Sequence, residues 1–395
     1  MRQRLKKLLP DPNSEFAQIN LLHICNDGFQ ASFLLLLPFI AKDFHLNLTQ
    51  VGFLGSVQNA VIVALALPTS YIALKLGGMK TLLLAVVLYA LGFVGLAFSP
   101  IFFWLIPMFI ISGIGFGLFH PIAFSIIALL STKETRGRVM GNFTAIGEVG
   151  RIGISAIMTF LVVFIGWRFT SLLYAEIAGA IAIVLYLFLF KRAEVTIPTP
   201  DDRAPVQMSH LLKNKRYVLA LITGALDTFA SDSLFIFLPF LLLHRGIDPA
   251  LLGSFIAAFF IGSFIGKTGL GRMVDHYGNT KVLIVSEVLM ALLILVLANS
   301  TALIMIIISS ILLGIFTKGT VPVTQTMVAE ATEHHGRFEK AFSIRSFVDS
   351  IAGMIAPILL GLTSDHFGII SAFNIMAVFA ALAIIPAVCF SVVKK

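Results

Sequence analysis

Twelve apolar stretches, each long enough to cross a bilayer, follow one another along this chain. They fall near 17–40, 50–74, 79–98, 101–130, 139–165, 168–190, 216–243, 250–270, 280–298, 301–328, 341–364 and 368–391. A spanning helix needs about 20 residues. Hydrocarbon offers no partner to a backbone N–H or C=O, so each stretch must close its own hydrogen bonds as a helix. The expectation is an all-α polytopic membrane protein with twelve transmembrane helices. Composition agrees. Of 395 residues, 58% are hydrophobic and 12% charged, where a soluble domain carries about 25% charged residues.

A formal net charge of +8 raises the question of nucleic acid. The cations instead occupy short loops between apolar runs, which suits anionic lipid headgroups and membrane topology. No nucleic-acid partner is expected. Of the 28 Lys and Arg residues, 22 lie in the termini and the loops on the N-terminal side. Lys42, Arg168 and Arg245 lie on the other side, and Arg151, Lys318 and Arg345 lie within helices. This bias places both termini in the cytoplasm, with the bacterial inner membrane as the expected setting. The segment from Lys191 to Lys215 holds Pro198, Pro200, Asp201, Asp202, Arg203 and Pro205. That is the composition of a surface linker. It divides the chain into six-helix bundles at 1–190 and 216–395, joined by a cytoplasmic linker at 191–215. Cys25 and Cys389 sit in apolar runs at opposite ends of the chain, so no disulfide is expected. The first apolar segment lacks a small-residue cleavage site, so no cleavable leader is expected.

The two halves repeat one another. A shift of 201 positions pairs Pro38 with Pro239, Gly113 with Gly314, Pro121 with Pro322 and Glu148 with Asp349. The same shift lays Gly271-Arg272-Met273-Val274-Asp275-His276-Tyr277-Gly278-Asn279-Thr280-Lys281 over the stretch from Ser70 to Lys80. There Gly77 and Lys80 remain, while Ser70 and Leu74 replace Gly271 and Asp275. Two parallel halves are the mark of a duplicated transporter.

Ionisable groups inside a spanning helix are costly, and they face a cavity or a partner. His23, Asp27 and Gln30, with Asn20 before them and Asn26 beside them, recur at helical spacing on one face of the first segment. They read as a cavity lining or as a hydrogen-bonded stripe joining helices. In the fourth segment His120 precedes Pro121, which loosens the helix. His120 is a candidate for substrate, for a proton, or for the backbone that the proline frees. Glu148 and Arg151 are three apart, and Arg345 and Asp349 four apart. Each pair either neutralises itself or lends a partner to substrate or proton. Asp227 shares a face with Ser231, whereas Asp232 reads as a solvated residue nearer the helix end. Lys318 has no acid within a turn, so its partner must come from another helix or from an anionic ligand. Glu287 reads as peripheral and structural.

Twelve spans in two parallel halves resemble the major facilitator superfamily, and the Gly271–Lys281 turn is similar to that family's signature between the eighth and ninth helices. The pattern His23-x-x-Asn26-Asp27-x-x-Gln30 with Pro38, Phe119-His120-Pro121 and the Gly137-Arg138 turn resembles the family's fosmidomycin-resistance branch. That resemblance implies proton-coupled export of small antibiotics. The fifth-helix run Gly147-Glu148-Val149-Gly150-Arg151-Ile152-Gly153 lacks the proline common in drug antiporters and carries two added charges, which suggests a different substrate. Superfamily geometry also implies a cytoplasmic gate in which Asp275 meets the start of the fifth helix and pairs with Arg138.

No nucleophile–base constellation, metal-ligand cluster or phosphate-binding glycine loop is legible, so neither an enzyme, a cofactor nor primary active transport is expected. The expected function is secondary, proton-coupled export of a small polar and anionic compound, by rocking of the two halves. Asp27, with Glu148 or Asp227, would carry the proton. His23, Gln30, His120, Arg151 and Lys318 would contact the substrate. The expected partners are that substrate, protons and membrane lipid, for a monomer. An importer of an organic anion or metallophore is the alternative. A lipid flippase or a non-transporting receptor is the alternative of another class.

Overall fold

A computed structural model describes residues 12–65, 68–130, 136–189, 208–332 and 338–393. No strand occurs among them. Their packing forms two compact units, one of residues 1–40 and 61–200, the other of residues 41–60 and 201–395.

The first unit draws on α1 (Pro12–Leu35), α2 (Leu37–Phe44), α3 (Leu48–Leu65), α4 (Pro68–Leu76), α5 (Gly78–Ala97), α6 (Phe102–Leu130) and α7 (Arg136–Leu189). The second contains α8 (Met208–Lys213), α9 (Lys215–Ser231), α10 (Leu234–His244), α11 (Leu252–Tyr277), α12 (Asn279–Asn299), α13 (Leu303–Thr332), α14 (Phe338–Phe367) and α15 (Ile369–Val392). It also takes in the end of α2 and the first part of α3, which fall within residues 41–60.

Among the described residues, eleven helical stretches are long and apolar enough to span a membrane. One of them, Asn142–Leu187, runs for 46 residues, about twice what a bilayer needs. Its backbone leaves the helical region at Gly166, where φ is 77°. The Tyr174 hydroxyl donates to the Ile154 carbonyl across that point. Twenty residues of straight helix would hold those groups about 30 Å apart, so α7 is two antiparallel arms. Counting both arms gives twelve spans.

The reversal from α11 to α12 is made by Gly278 alone, with φ at 83°. Only glycine adopts that region without strain. The helix therefore continues through Gly271–Tyr277, further than the polar sequence suggests. Gly77 makes the matching reversal before α5, and Gly368 the one before α15. Cys25 and Cys389 are free thiols.

The start of α3 is held unusually well. Asn47 and Gln50 cap each other, with each backbone N–H donating to the other's side-chain oxygen at 2.8–3.0 Å. The two N–H groups between them, of Leu48 and Thr49, both donate to the Asp365 carboxylate of α14 at 2.8 Å. No first-turn donor is left over, and the negative charge sits at the positive end of α3. Gly361, one turn before Asp365, lets the backbones meet there, because a Cβ on it would overlap the Leu48 carbonyl. The run Gly361-x-x-x-Asp365-His366-Phe367-Gly368 repeats Gly271-x-x-x-Asp275-His276-Tyr277-Gly278 at a distance of 90 positions. That repeat was the available signal for Asp365. Asp365→Ala is expected to weaken this cap by about 1–2 kcal/mol. Hydrogen exchange at the Leu48 and Thr49 amides should then speed up by roughly 5- to 30-fold. Unchanged exchange there would mean that the carboxylate does not hold the helix start.

Candidate functional site

In the first unit, four groups from three helices converge on one carboxylate. Asp27 of α1 is only 3% exposed. Arg151 of α7 brings Nη2 to 2.9 Å from Oδ2. His120 of α6 brings Nε2 to 3.3 Å from Oδ1. His23, one turn earlier on α1, has Nε2 3.4 Å from Oδ2, and Asn26 donates its amide to Oδ1 at 3.0 Å. Fully buried Glu148 lies 3.5 Å from the far side of the Arg151 guanidinium. Gln30 lies about one turn further along α1 and is half-buried.

Small residues allow this convergence. A Cβ on Gly147 would lie 2.6 Å from Asp27 Oδ2 and 2.7 Å from His23 Nε2, and one on Gly150 would overlap the Ile24 carbonyl. α7 can therefore lie directly against the polar stripe of α1, the close approach that small residues allow between membrane helices. The His23 ring is sandwiched between Phe143, at 4.1 Å between centroids, and Phe119, at 5.6 Å. His120 lies edge-on to His23 at 5.3 Å. Pro121 follows it inside α6 and removes one helical hydrogen bond.

With both acids ionised and both imidazoles neutral, Asp27, Glu148 and Arg151 carry one excess negative charge. In a low-dielectric interior such an excess is strongly disfavoured. One proton taken up there would bring these three groups to neutrality. Its histidines and carboxylate also bring three potential metal-ligand atoms within 4.8 Å of one another, a donor set of the kind that holds transition metals. Arg151 already engages the same carboxylate, and its fixed positive charge opposes a dication there.

The second unit gathers a separate polar group. Lys318 of α13 finds its partner on another chain segment: Nζ lies 2.7 Å from Oδ1 of Asp232, at the break between α9 and α10. Arg345 lies 3.0 Å from Asp349 on the same helix, and its Nη2 donates to Thr324 at 2.6 Å. Gly224 leaves room for that pair beside α9, since a Cβ there would stand 2.9 Å from Asp349. Asp227 accepts from the Thr320 hydroxyl at 3.0 Å. Glu287 is not peripheral as its sequence context suggested. It is fully buried and its carboxyl reaches that of Asp227. A lone acid in an apolar run carries no local sign of the neighbouring helix that covers it. Asp275 is exposed on the last turn of α11, and the Arg138 side chain lies outside the described residues.

A family model described as the Major Facilitator Superfamily matches residues 19–240 and 220–395. The chain belongs to the Major Facilitator Superfamily. It is an integral membrane transporter and not an enzyme. This superfamily member is 23% identical over 344 residues to the multi-drug resistance efflux pump PmrA of Streptococcus pneumoniae, covering 84% of each chain. It is 23% identical over 305 residues to the MFS-type transporter YcaD of Escherichia coli, covering 76% of each. Among solved structures, it matches a bacterial homolog of the human lysosomal transporter Spinster in an inward-facing and occupied conformation. The TM-score is 0.78 over 98% of both chains, at 15% identity. At that identity the likeness speaks for the superfamily fold.

Gly147 tests whether close approach of α1 and α7 builds the cluster. Gly147→Ala removes no charged or polar side chain but places a methyl against Asp27 and His23. Overpacking of this kind destabilises by about 1–3 kcal/mol. Thermal unfolding in lipid should show a lowered midpoint and transport should fall. A variant with parental stability and transport would mean that the helices do not meet as described.

Proposed function

We propose that this transporter couples proton movement to the movement of a small polar anion. The observation that carries the reading is the 2.9 Å contact between Arg151 and Asp27. A guanidinium fixed within a membrane helix favours an anion, and here a carboxylate that can accept a proton occupies it. A proton taken up at the cluster weakens the hold of Asp27 on Arg151 and frees the guanidinium for a substrate carboxylate, phosphonate or phosphate. Asp27 is the primary proton carrier, with Glu148 and Asp227 as further acids. His23, Gln30, His120 and Arg151 form the substrate contacts in the first half. Lys318 contributes from the second, where the half-exposed carboxylate of Asp232 is a partner that an anion can displace. Alternating access moves the loaded site from one side to the other. The reading is of a monomer in the inner membrane, with cytoplasmic termini on the charge bias and bundles at 1–190 and 216–395 on the composition of the linker between them.

Export is the reading that likeness to an efflux pump supports. Uptake has its own observation. If a proton must release Arg151 from Asp27 before an anion can bind, proton and anion load together, which is the logic of symport.

Purified protein in liposomes with an imposed pH gradient tests both. Substrate leaving against entering protons marks export, and both moving the same way marks uptake. Under either direction, Asp27→Asn should abolish gradient-driven accumulation while leaving folded protein in the membrane. Arg151→Ala should weaken anion binding by about tenfold or more, the loss of a charge-assisted contact. Undiminished accumulation in Asp27→Asn, or a ligand screen yielding only cations and neutral compounds, would overturn the proposal.

A further inference from the structure

Among the described residues of the second unit, two acids face each other with no cation in contact with either carboxyl. Glu287 of α12 has none of its surface exposed, and neither carboxyl oxygen has a hydrogen-bond donor among the described residues. The group it faces is the carboxyl of Asp227 on α9, itself 3% exposed and within hydrogen-bonding reach. Two ionised carboxylates in contact, both out of water, repel each other and each forfeits its hydration.

Relief could come from the helices packed most closely against the pair, α13, α14 and α15. From α13, the single Thr320 hydroxyl proton is shared between Asp227, at 3.0 and 3.2 Å, and the Thr317 carbonyl, at 2.9 Å. Lys318 on the same helix is taken by Asp232. From α14, Arg345 bonds Asp349 and Thr324, and Asp349 adds a further negative charge to the neighbourhood. From α15, the sequence Ile369–Val392 brings no charged side chain. What remains is a proton. Protonated, one carboxyl becomes an O–H donor to the other, which supplies the missing donor and removes one negative charge in a single step.

We propose that Asp227 and Glu287 form a second buried proton-binding site, separate from the Asp27 cluster, in which the two carboxyls share one proton. The occupant is a proton, because it alone turns one carboxyl into a donor for the other. The chemistry is that of a carboxyl dyad, whose members titrate as a pair. Loss of the shared proton would leave two negative charges for Arg345 to serve together with Asp349. Release from this site would therefore loosen the Arg345–Asp349 pair, the repeat counterpart of the Glu148–Arg151 contact. The role in coupling rests on the proton-coupled reading above, but the existence of the site does not.

Infrared spectroscopy of the full-length protein in lipid, without gradient or substrate, reads the site directly. At neutral pH the parent should show the carbonyl stretch of a protonated buried carboxyl, shifted in heavy water. Glu287→Gln and Asp227→Asn should each remove it, because the new amide supplies the donor and lets the remaining carboxyl ionise. Asp27→Asn should leave it in place. Retention of helical circular dichroism and of an unfolding transition confirms that each variant is folded, and the amide substitutions preserve shape and bonding. Four results would overturn the proposal: no such band in the parent, a band that survives both substitutions, loss of the band in Asp27→Asn, or its replacement by sodium at constant pH. A band that behaves as expected in a protein that moves nothing in the liposome assay would keep this site and reject the coupled-transport reading.

Discussion

Lipid offers no hydrogen-bond partner, and every other feature of this protein follows from that. Backbone groups must be bonded within their own segment, which forces helices. The same shortage governs side chains. A charge placed within a spanning helix must be met by another charge or by a proton. Removing one member of a buried pair leaves the other stranded at a cost of several kcal/mol. Asp27 with Arg151 joins α1 to α7, Lys318 with Asp232 joins α13 to the α9–α10 break, and Arg216 with Glu330 joins α9 to α13. Each such pair is also a statement about which helices are neighbours.

Neighbouring helices must also come close enough for short polar side chains to touch. Glycines provide this. Gly28, Gly147 and Gly150 bring α1 and α7 together around the Asp27 cluster. Gly262, Gly266, Gly314 and Gly319 do the same between α11 and α13, where added methyl groups would strike the opposing backbone. The apolar driving force that packs soluble cores is weak between helices already in lipid, so backbone contact through small residues takes its place.

The two units treat their buried acids differently. Glu148 and Asp349 are repeat mates, and each has an arginine within a turn. Beyond that, the correspondence ends. In the first unit the arginine also reaches Asp27, and two histidines and an asparagine complete the surroundings. In the second, Asp227 meets another acid, Glu287, and a threonine. Duplication supplied the scaffold twice, and the charges placed on it have since diverged. One unit gathers an arginine, two histidines and an asparagine around its acid, while the other sets one acid against another.

The sequence by itself determined the twelve spans, the internal repeat and the face of α1 that carries Asp27, because apolar length and helical periodicity are local properties of the chain. It also brought out Glu148, Arg151, Arg345 and Asp349 as pairs, since three- and four-residue spacings decide contact within one helix. The polar stretch from Gly271 to Lys281 announced a reversal, but a single residue, Gly278, makes it. Contacts between helices lay beyond local reading. That His120 and Arg151 share Asp27, that Lys318 is held by Asp232, that Asp365 caps α3 across more than 300 positions, and that Glu287 is buried against Asp227 depend on which helices pack together and how each is rotated. Those quantities are set by small-residue stripes and paired charges acting across the whole bundle, and only the tertiary structure decided them.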